Sequence, residues 1–88
     1  MHIISGFHTR QILDEVIAVP SGEASKVFSG IVSLNEIGRF LFEALQSEHT
    51  LDSLVDAVLE EYDIDSETAR ADVTEFVEQL RSAGLLKE

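Results

Sequence analysis

The sequence predicts a single α+β domain over residues 1–88, with a three-stranded antiparallel sheet followed by three helices. Residues 1–34 hold short β-rich runs separated by turn residues. From Asn35 onward, apolar residues recur every three to four positions, which is the helical period. The length suits one domain, and the contents of 44% hydrophobic and 26% charged residues are ordinary for a folded chain.

Three runs predict the strands. Phe7 to Leu13 and Val16 to Pro20 are separated by Asp14-Glu15, a connection short enough for a hairpin, and Pro20 ends the second run. The third run, Lys26 to Leu34, contains Gly30 as a bulge or a point of close approach. Short connections favour a meander, so we expect the second strand to be central and the third to lie at an open edge.

Polar residues are placed to cap each predicted helix. Asn35 is expected to cap the first helix, Thr50 the second, and either Asp65 or Ser66 the third. Gly84 marks the end of the third helix, and Leu85-Leu86 beyond it are expected to fold back onto the core. The predicted buried faces comprise Ile37, Phe40, Leu41, Ala44 and Leu45; then Leu51, Leu54, Val55, Val58, Leu59 and Tyr62; then Ala69, Val73, Phe76, Val77 and Leu80.

The charge is strongly negative and uneven. The chain has 6 Lys+Arg and 17 Asp+Glu, a net charge of −11, and residues 45–88 alone hold 12 acidic and 3 basic side chains, a net of −9. Such a balance disfavours nucleic acid, whose affinity for proteins comes largely from Lys and Arg at the phosphates, and it disfavours an anionic membrane surface. No apolar run approaches the roughly 18 residues of a membrane span, so a cytoplasmic protein is expected.

Carboxylate pairs do not predict catalysis. Asp14-Glu15, Glu60-Glu61 and Asp63 with Asp65 fall in predicted turns or on polar helix faces. Catalytic carboxylates need environments that differ from one another, usually through burial. The acidic surface is better explained as a solvated face, and we do not expect an enzyme.

Metal and cofactor sites are not expected either. The chain has no cysteine. Asp63 to Glu67 resembles the opening of a calcium loop, but Thr68 and Thr74 stand where that loop needs Gly and Glu. The three histidines, His2, His8 and His49, do not have the sequence spacing that is typical of metal ligands.

The predicted edge strand is a candidate binding surface. Lys26 is its only charged residue, so little discourages pairing with another chain. An extended peptide could add there as a fourth strand, with main-chain hydrogen bonds giving affinity. The alternative is that a helix or the amino terminus covers this edge.

The third helix offers a second candidate surface. Arg70, Thr74, Val77 and Arg81 recur at helical spacing and form one stripe beside the core face. The arginines either pair with neighbouring acids of the same helix or form a cationic rim for an acidic peptide.

Three segments of the chain resemble a known family. They are Phe28 to Gly38, with an aromatic residue and Gly before a short apolar strand and then Leu-Asn; Glu60 to Asp65 followed by Ala69 to Val73 and Phe76; and Ala83 to Leu86. In order and spacing they are similar to the PqqD-like family of peptide-binding modules, the RiPP recognition elements. The resemblance spans Phe7 to Leu86.

The resemblance implies a winged helix-turn-helix-like fold and a non-catalytic function. That function is to bind the leader segment of a ribosomally made precursor peptide and to present the peptide to a modifying enzyme, in many relatives a radical SAM protein. The leader is expected to pair with the third strand beside the third helix, and no cofactor is expected in this chain. The contacts carried over by position are Val27, Phe28, Ser29, Gly30, Ile31, Val32 and Ser33 on the strand, and Arg70, Val73, Thr74, Val77 and Arg81 on the helix.

One departure from the family pattern and two other functions bear on this expectation. Ser47-Glu48-His49 stands where members serving pyrroloquinoline quinone synthesis have Cys-Asp-Gly, which argues against that pathway. A helix-turn-helix regulator that binds nucleic acid is one alternative, although its recognition helix should be basic. An acidic adaptor that docks on an enzyme through its helices is the other, and an open edge strand would also allow a homodimer.

Overall fold

A computed structural model describes residues 1–22 and 32–88 of the chain. The predicted strand residues from Lys26 to Ile31 lie outside the described residues. The elements, in chain order, are β1 (His2–Ile3), β2 (Phe7–Ile12), β3 (Glu15–Pro20), β4 (Val32–Leu34), α1 (Glu36–Ala44), α2 (Leu51–Glu61), α3 (Ser66–Ser82) and β5 (Leu86–Lys87).

The main sheet has the antiparallel order β2-β3-β4, so the predicted meander is confirmed. The central strand is β3, which is the second of the three predicted strands, and β4 lies at one end of the sheet. Ile17 of β3 lies opposite Ser33 of β4. The hairpin turn differs from the prediction by one residue. Glu15 pairs with Ile12, so the two turn residues are Leu13 and Asp14. A turn this short needs a positive φ, which Leu13 adopts at 56°.

Side-chain caps begin all three described helices. Asn35 Oδ1 accepts from the backbone N–H of Gly38 at 2.7 Å, and Asp65 Oδ1 accepts from that of Thr68 at 2.7 Å. Thr50 caps α2 through a reciprocal pair of hydrogen bonds with Ser53. The three predicted N-caps are thus confirmed, with Asp65 rather than Ser66 in the third.

A small second sheet was not predicted from the sequence. β1 pairs antiparallel with β5, with Ile3 opposite Leu86. The N–H of Ile3 donates to the carbonyl of Leu45 at 2.9 Å, and that of Ile4 donates to the carbonyl of Leu85 at 2.9 Å. The amino-terminal strand therefore pairs with β5 and leaves β4 with β3 as its strand neighbour among the described residues.

The core lies between the main sheet and the helices. Leu85 is buried, which confirms that the chain folds back after Gly84, whose φ is 76°. Phe42, which was not predicted, is buried as well and makes an edge-to-face contact with Phe7, with ring centroids 5.8 Å apart. The buried hydrophobic residues are Ile3, Ile17, Ala18, Leu34, Leu41, Phe42, Leu45, Leu54, Val55, Val58, Ala69, Val73, Val77, Leu80 and Leu85.

Within residues 1–22 and 32–88, no helix combines the length and apolarity needed to cross a bilayer.

Candidate functional site

The end of β4 is the first part of the candidate site. Val32 is half-buried, Ser33 is exposed and Leu34 points into the core. β4 pairs with β3 on one side, and no described strand pairs with it on the other. The predicted contacts Val27, Phe28, Ser29, Gly30 and Ile31 lie outside the described residues, so the described edge consists of residues 32–34.

A cavity of about 180 Å³ lies between α1 and α3, at the point where β4 ends. Asn35, the residue that follows β4, contributes to its wall. From α3, Asp72, Glu75 and Phe76 face it. The remaining lining residues are Ile37, Gly38, Leu41 and Gln79.

Gly38 allows the strand end, α1 and α3 to approach one another here. A Cβ atom on Gly38 would lie 3.0 Å from Asn35 Oδ1, 3.4 Å from Phe76 Cε1 and 3.8 Å from Leu34 Cδ2. A glycine at this position therefore leaves room for the Asn35 cap and for the close packing of Phe76 and Leu34 around the start of α1. We call the surface formed by β4, Asn35, Gly38, Asp72 and Phe76 the strand-side groove.

The predicted arginine stripe lies elsewhere on α3. Arg70 donates to Asp52 Oδ1 of α2 at 2.9 Å. Arg81 forms ion pairs with Glu78 and, at 2.6 Å, with Glu88. Its hydrogen bond to Glu88, with the charge of Glu78, raises the pKa of the Arg81 guanidinium. The sequence-based pairing of Arg81 with Glu78 is thus observed, whereas Arg70 pairs with another helix.

Thr74, Val77 and Arg81 line a second cavity of about 330 Å³, opposite the start of α2. It is also bounded by Met1, His49, Thr50, Leu51, Glu78 and Glu88. Val73, the remaining predicted helix contact, is fully buried in the core.

The two cavities lie on opposite flanks of the buried face of α3. At about 100° per residue, Asp72 and Gln79 lie roughly half a turn around the helix from Arg70. The arginine stripe faces α2, and the flank with Asp72 and Phe76 faces α1 and the end of β4. Sequence reasoning placed Phe76 in the core and treated Asp72 and Glu75 as solvated charge. The helical spacing of Asp72, Glu75 and Gln79 could have indicated that they share one flank of α3. It could not have indicated which other elements that flank faces.

The acidic and histidine side chains of residues 1–22 and 32–88 are dispersed with respect to metal binding. No group of three or more His, Asp or Glu side chains is placed there to hold a metal ion. Asp65, one of the acidic residues considered from sequence, is an N-cap, and the hydrogen bonds that it accepts from Thr68 lower its pKa. The described site offers surfaces for contact, namely a sheet edge and an acidic, partly aromatic cavity beside it.

Comparisons with known proteins agree with this fold. The profile of the family described as "Coenzyme PQQ synthesis protein D (PqqD)" matches residues 11–86. Among solved structures, the chain is similar to "TbiB1 in Complex with the TbiA(beta) Leader Peptide". The TM-score is 0.72 at 24% sequence identity, covering 99% of this chain and 95% of that one. Among curated proteins, none matches this sequence.

Proposed function

This chain belongs to the PqqD family, and we propose that it binds the leader segment of a ribosomally synthesised precursor peptide without catalysing a reaction. The observation that carries the proposal is the sheet edge at β4 next to the cavity between α1 and α3. The fold is shared with TbiB1, which was solved together with a leader peptide. That likeness supports the same kind of ligand for this chain.

The proposed binding mode is addition of the leader to β4 as a further antiparallel or parallel strand. An edge strand leaves every second backbone N–H and C=O without a partner inside the sheet, and these groups can bond to an extended peptide. Ser33 is exposed and carries no charge or bulk that would oppose pairing. Val27 to Ile31 remain predicted contacts that would lengthen this edge.

Two proline variants test strand addition. Successive N–H groups of a strand point to opposite sides, so one of Val32 and Ser33 donates toward β3 and the other toward the open edge. Val32→Pro and Ser33→Pro each remove one donor. We expect one variant to lose stability and the other to keep a cooperative unfolding transition but lose peptide binding. Binding is measured by fluorescence anisotropy with a labelled precursor leader peptide that the wild-type chain binds.

Amide hydrogen exchange gives a readout that does not depend on either variant folding. Bound leader should slow the exchange of the edge-facing amide among residues 32–34, while amides on the far side of the molecule, such as those in α2, exchange as before. Wild-type affinity in a folded proline variant, together with unchanged exchange at β4, would exclude strand addition.

The arginine stripe is tested by Arg70→Glu combined with Arg81→Glu. The sequence predicts weaker leader binding from this change. In the structure both arginines already pair with acids of the chain itself and face α2. We therefore expect the affinity loss to be smaller than that caused by the edge-facing proline variant. A larger loss would place the leader on the α2 flank instead.

The proposed partner after leader binding is a peptide-modifying enzyme, with a radical SAM enzyme as the class that the family resemblance suggests. An antiparallel homodimer through β4 would occupy the same edge, so leader and second copy should compete. Light scattering with and without leader tests this: a dimer that persists at saturating leader would place the dimer contact elsewhere.

Nucleic acid is a poorer ligand for this surface. The flank of α3 that faces the groove presents Asp72 and Glu75, and the arginines of α3 are paired. A duplex would meet net negative charge, which removes the counterion-release contribution to affinity. Retention of a duplex in a gel shift at low salt would contradict this conclusion.

A further inference from the structure

The cavity between α1 and α3 has a chemical character that restricts its occupant. Resting on the proposed function, we propose that it takes a lysine or arginine side chain of the bound peptide, with the cationic head at Asp72 and Glu75 and the aliphatic stem against Phe76. Asn35, which directly follows β4, lines the cavity, so a strand added along β4 would run beside it.

The cavity combines an apolar wall with acidic groups. Phe76, Ile37 and Leu41 supply apolar surface, and Asp72 and Glu75 supply carboxylates. Lysine and arginine pair a long aliphatic stem with a charged head, so they match a site lined by both apolar and acidic side chains. The ring of Phe76 adds an attractive surface for a cation.

Charge complementarity favours a cation from outside the chain. Within residues 1–22 and 32–88, Arg39, Arg70 and Arg81 each pair with a carboxylate other than those of the cavity. Neither Asp72 nor Glu75 forms an ion pair with any described residue. The cavity therefore presents two carboxylates with no cation of the described chain beside them.

The geometry also limits how many peptide residues reach the cavity. Side chains of an added strand alternate between its two faces, so every second residue points toward α3. With a volume of about 180 Å³, the cavity holds one side chain rather than a folded segment. The preference for Lys or Arg should thus appear at a single peptide position.

A displayed library of random 12-residue peptides, selected on the full chain, tests this preference. The wild-type chain should enrich Lys or Arg at one position of the selected peptides. Asp72→Asn with Glu75→Gln should remove that enrichment, and Asp72→Lys with Glu75→Lys should replace it with Asp or Glu. Asp56→Asn with Glu60→Gln is the matched control, because it neutralises two exposed acids of α2 and leaves the cavity unchanged.

A synthetic peptide with a selected sequence then measures how much the charge of its lysine contributes to affinity. Replacing its Lys by norleucine keeps the stem and removes the charge. We expect affinity for the wild-type chain to fall roughly three- to tenfold, as for a partly desolvated ion pair. Affinity for the Asp72→Asn, Glu75→Gln chain should not change.

The outcomes separate this inference from the proposed function. Selected peptides without a cationic preference, or with one that survives in Asp72→Asn, Glu75→Gln, would overturn the inference and leave peptide binding intact. Loss of the preference in the α2 control as well would assign it to overall charge and also overturn the inference. A wild-type chain that enriches no peptide would overturn both.

Discussion

Asn35 and Gly38 are coupled through a single atom, and the coupling can be measured. Asn35 Oδ1 accepts a hydrogen bond of 2.7 Å from the N–H of Gly38, and a Cβ on residue 38 would lie 3.0 Å from the same oxygen. Asn35→Ala removes the cap of α1 and should cost about 1 kcal/mol of unfolding free energy. Gly38→Ala gains about 1 kcal/mol of helix propensity, but its methyl group displaces the capping oxygen.

The two changes should therefore not add. In the wild type, the gain from Gly38→Ala is offset by disturbance of the cap, so the net change should be near zero. In the Asn35→Ala background no oxygen is left to displace, and the 3.4 Å contact with Phe76 Cε1 is ordinary. Gly38→Ala should then stabilise by about 1 kcal/mol, which gives a coupling free energy of about 1 kcal/mol.

Urea unfolding followed by far-ultraviolet circular dichroism measures all four proteins of this cycle. The slope of the unfolding free energy against urea concentration should be the same in all four proteins. Differences in the urea concentration at the midpoint of unfolding then report differences in stability. Additivity to within about 0.3 kcal/mol would refute the reasoning, because it would mean that the oxygen of Asn35 moves aside without losing its hydrogen bond. Asn35→Asp is the matched control, since it retains an oxygen at the cap and should keep Gly38→Ala near neutral.

Three further predictions concern the core, a helix cap and the hairpin. Leu54 is fully buried, so Leu54→Ala should cost about 2–5 kcal/mol in urea unfolding, and a cost below about 1 kcal/mol would mean that the site collapses around the smaller side chain. The pKa of Asp65 lies below its ordinary value of 3.8 because Thr68 donates hydrogen bonds to it. The ionised Asp65 carboxylate therefore stabilises the folded state fully at pH values above its ordinary pKa of 3.8, and this stabilisation is lost as the pH falls through its folded-state pKa. Asp65→Asn should lose less stability than the wild type between pH 5 and pH 2, and an identical loss would exclude Asp65 as the source. Leu13 is 90% exposed at a φ of 56°, so Leu13→Gly should raise the thermal midpoint, with a stabilisation of about 1 kcal/mol, and a lowered midpoint would show that the side chain is needed.

Local sequence was a good guide wherever a short stretch of chain decides the structure. The N-caps at Asn35, Thr50 and Asp65 were predictable because each depends on a side chain and an N–H three residues ahead. The strand order of the main sheet was also predictable, because short connections favour the pairing of strands that are neighbours in the sequence. The hairpin turn was predicted at Asp14-Glu15, one residue after its observed position at Leu13-Asp14. Leucine rarely adopts a positive φ, so the residue type at position 13 does not predict a turn.

The second sheet and the surroundings of the two flanks of α3 were not predicted, because they depend on contacts between distant parts of the chain. β1 and β5 are two residues each and carry no periodic pattern, so only their meeting across the fold defines them. The arginine stripe and the acidic flank of α3 have the same helical spacing, and both lie beside the buried face. The partner of Arg70 is Asp52, eighteen positions earlier, which helical spacing within α3 cannot reveal.

By itself, the sequence of this protein determined the class of fold, the helix boundaries, the strand order of the main sheet with the third predicted strand at its edge, and the family resemblance, because these depend on local patterns and their order. Only the tertiary structure decided which flank of α3 lies beside that edge. The reason is geometric: both flanks border the same core stripe, and the packing of α3 against α1 and α2 sets which one meets β4. It turns Asp72 and Phe76 toward the strand and Arg70 and Arg81 away from it.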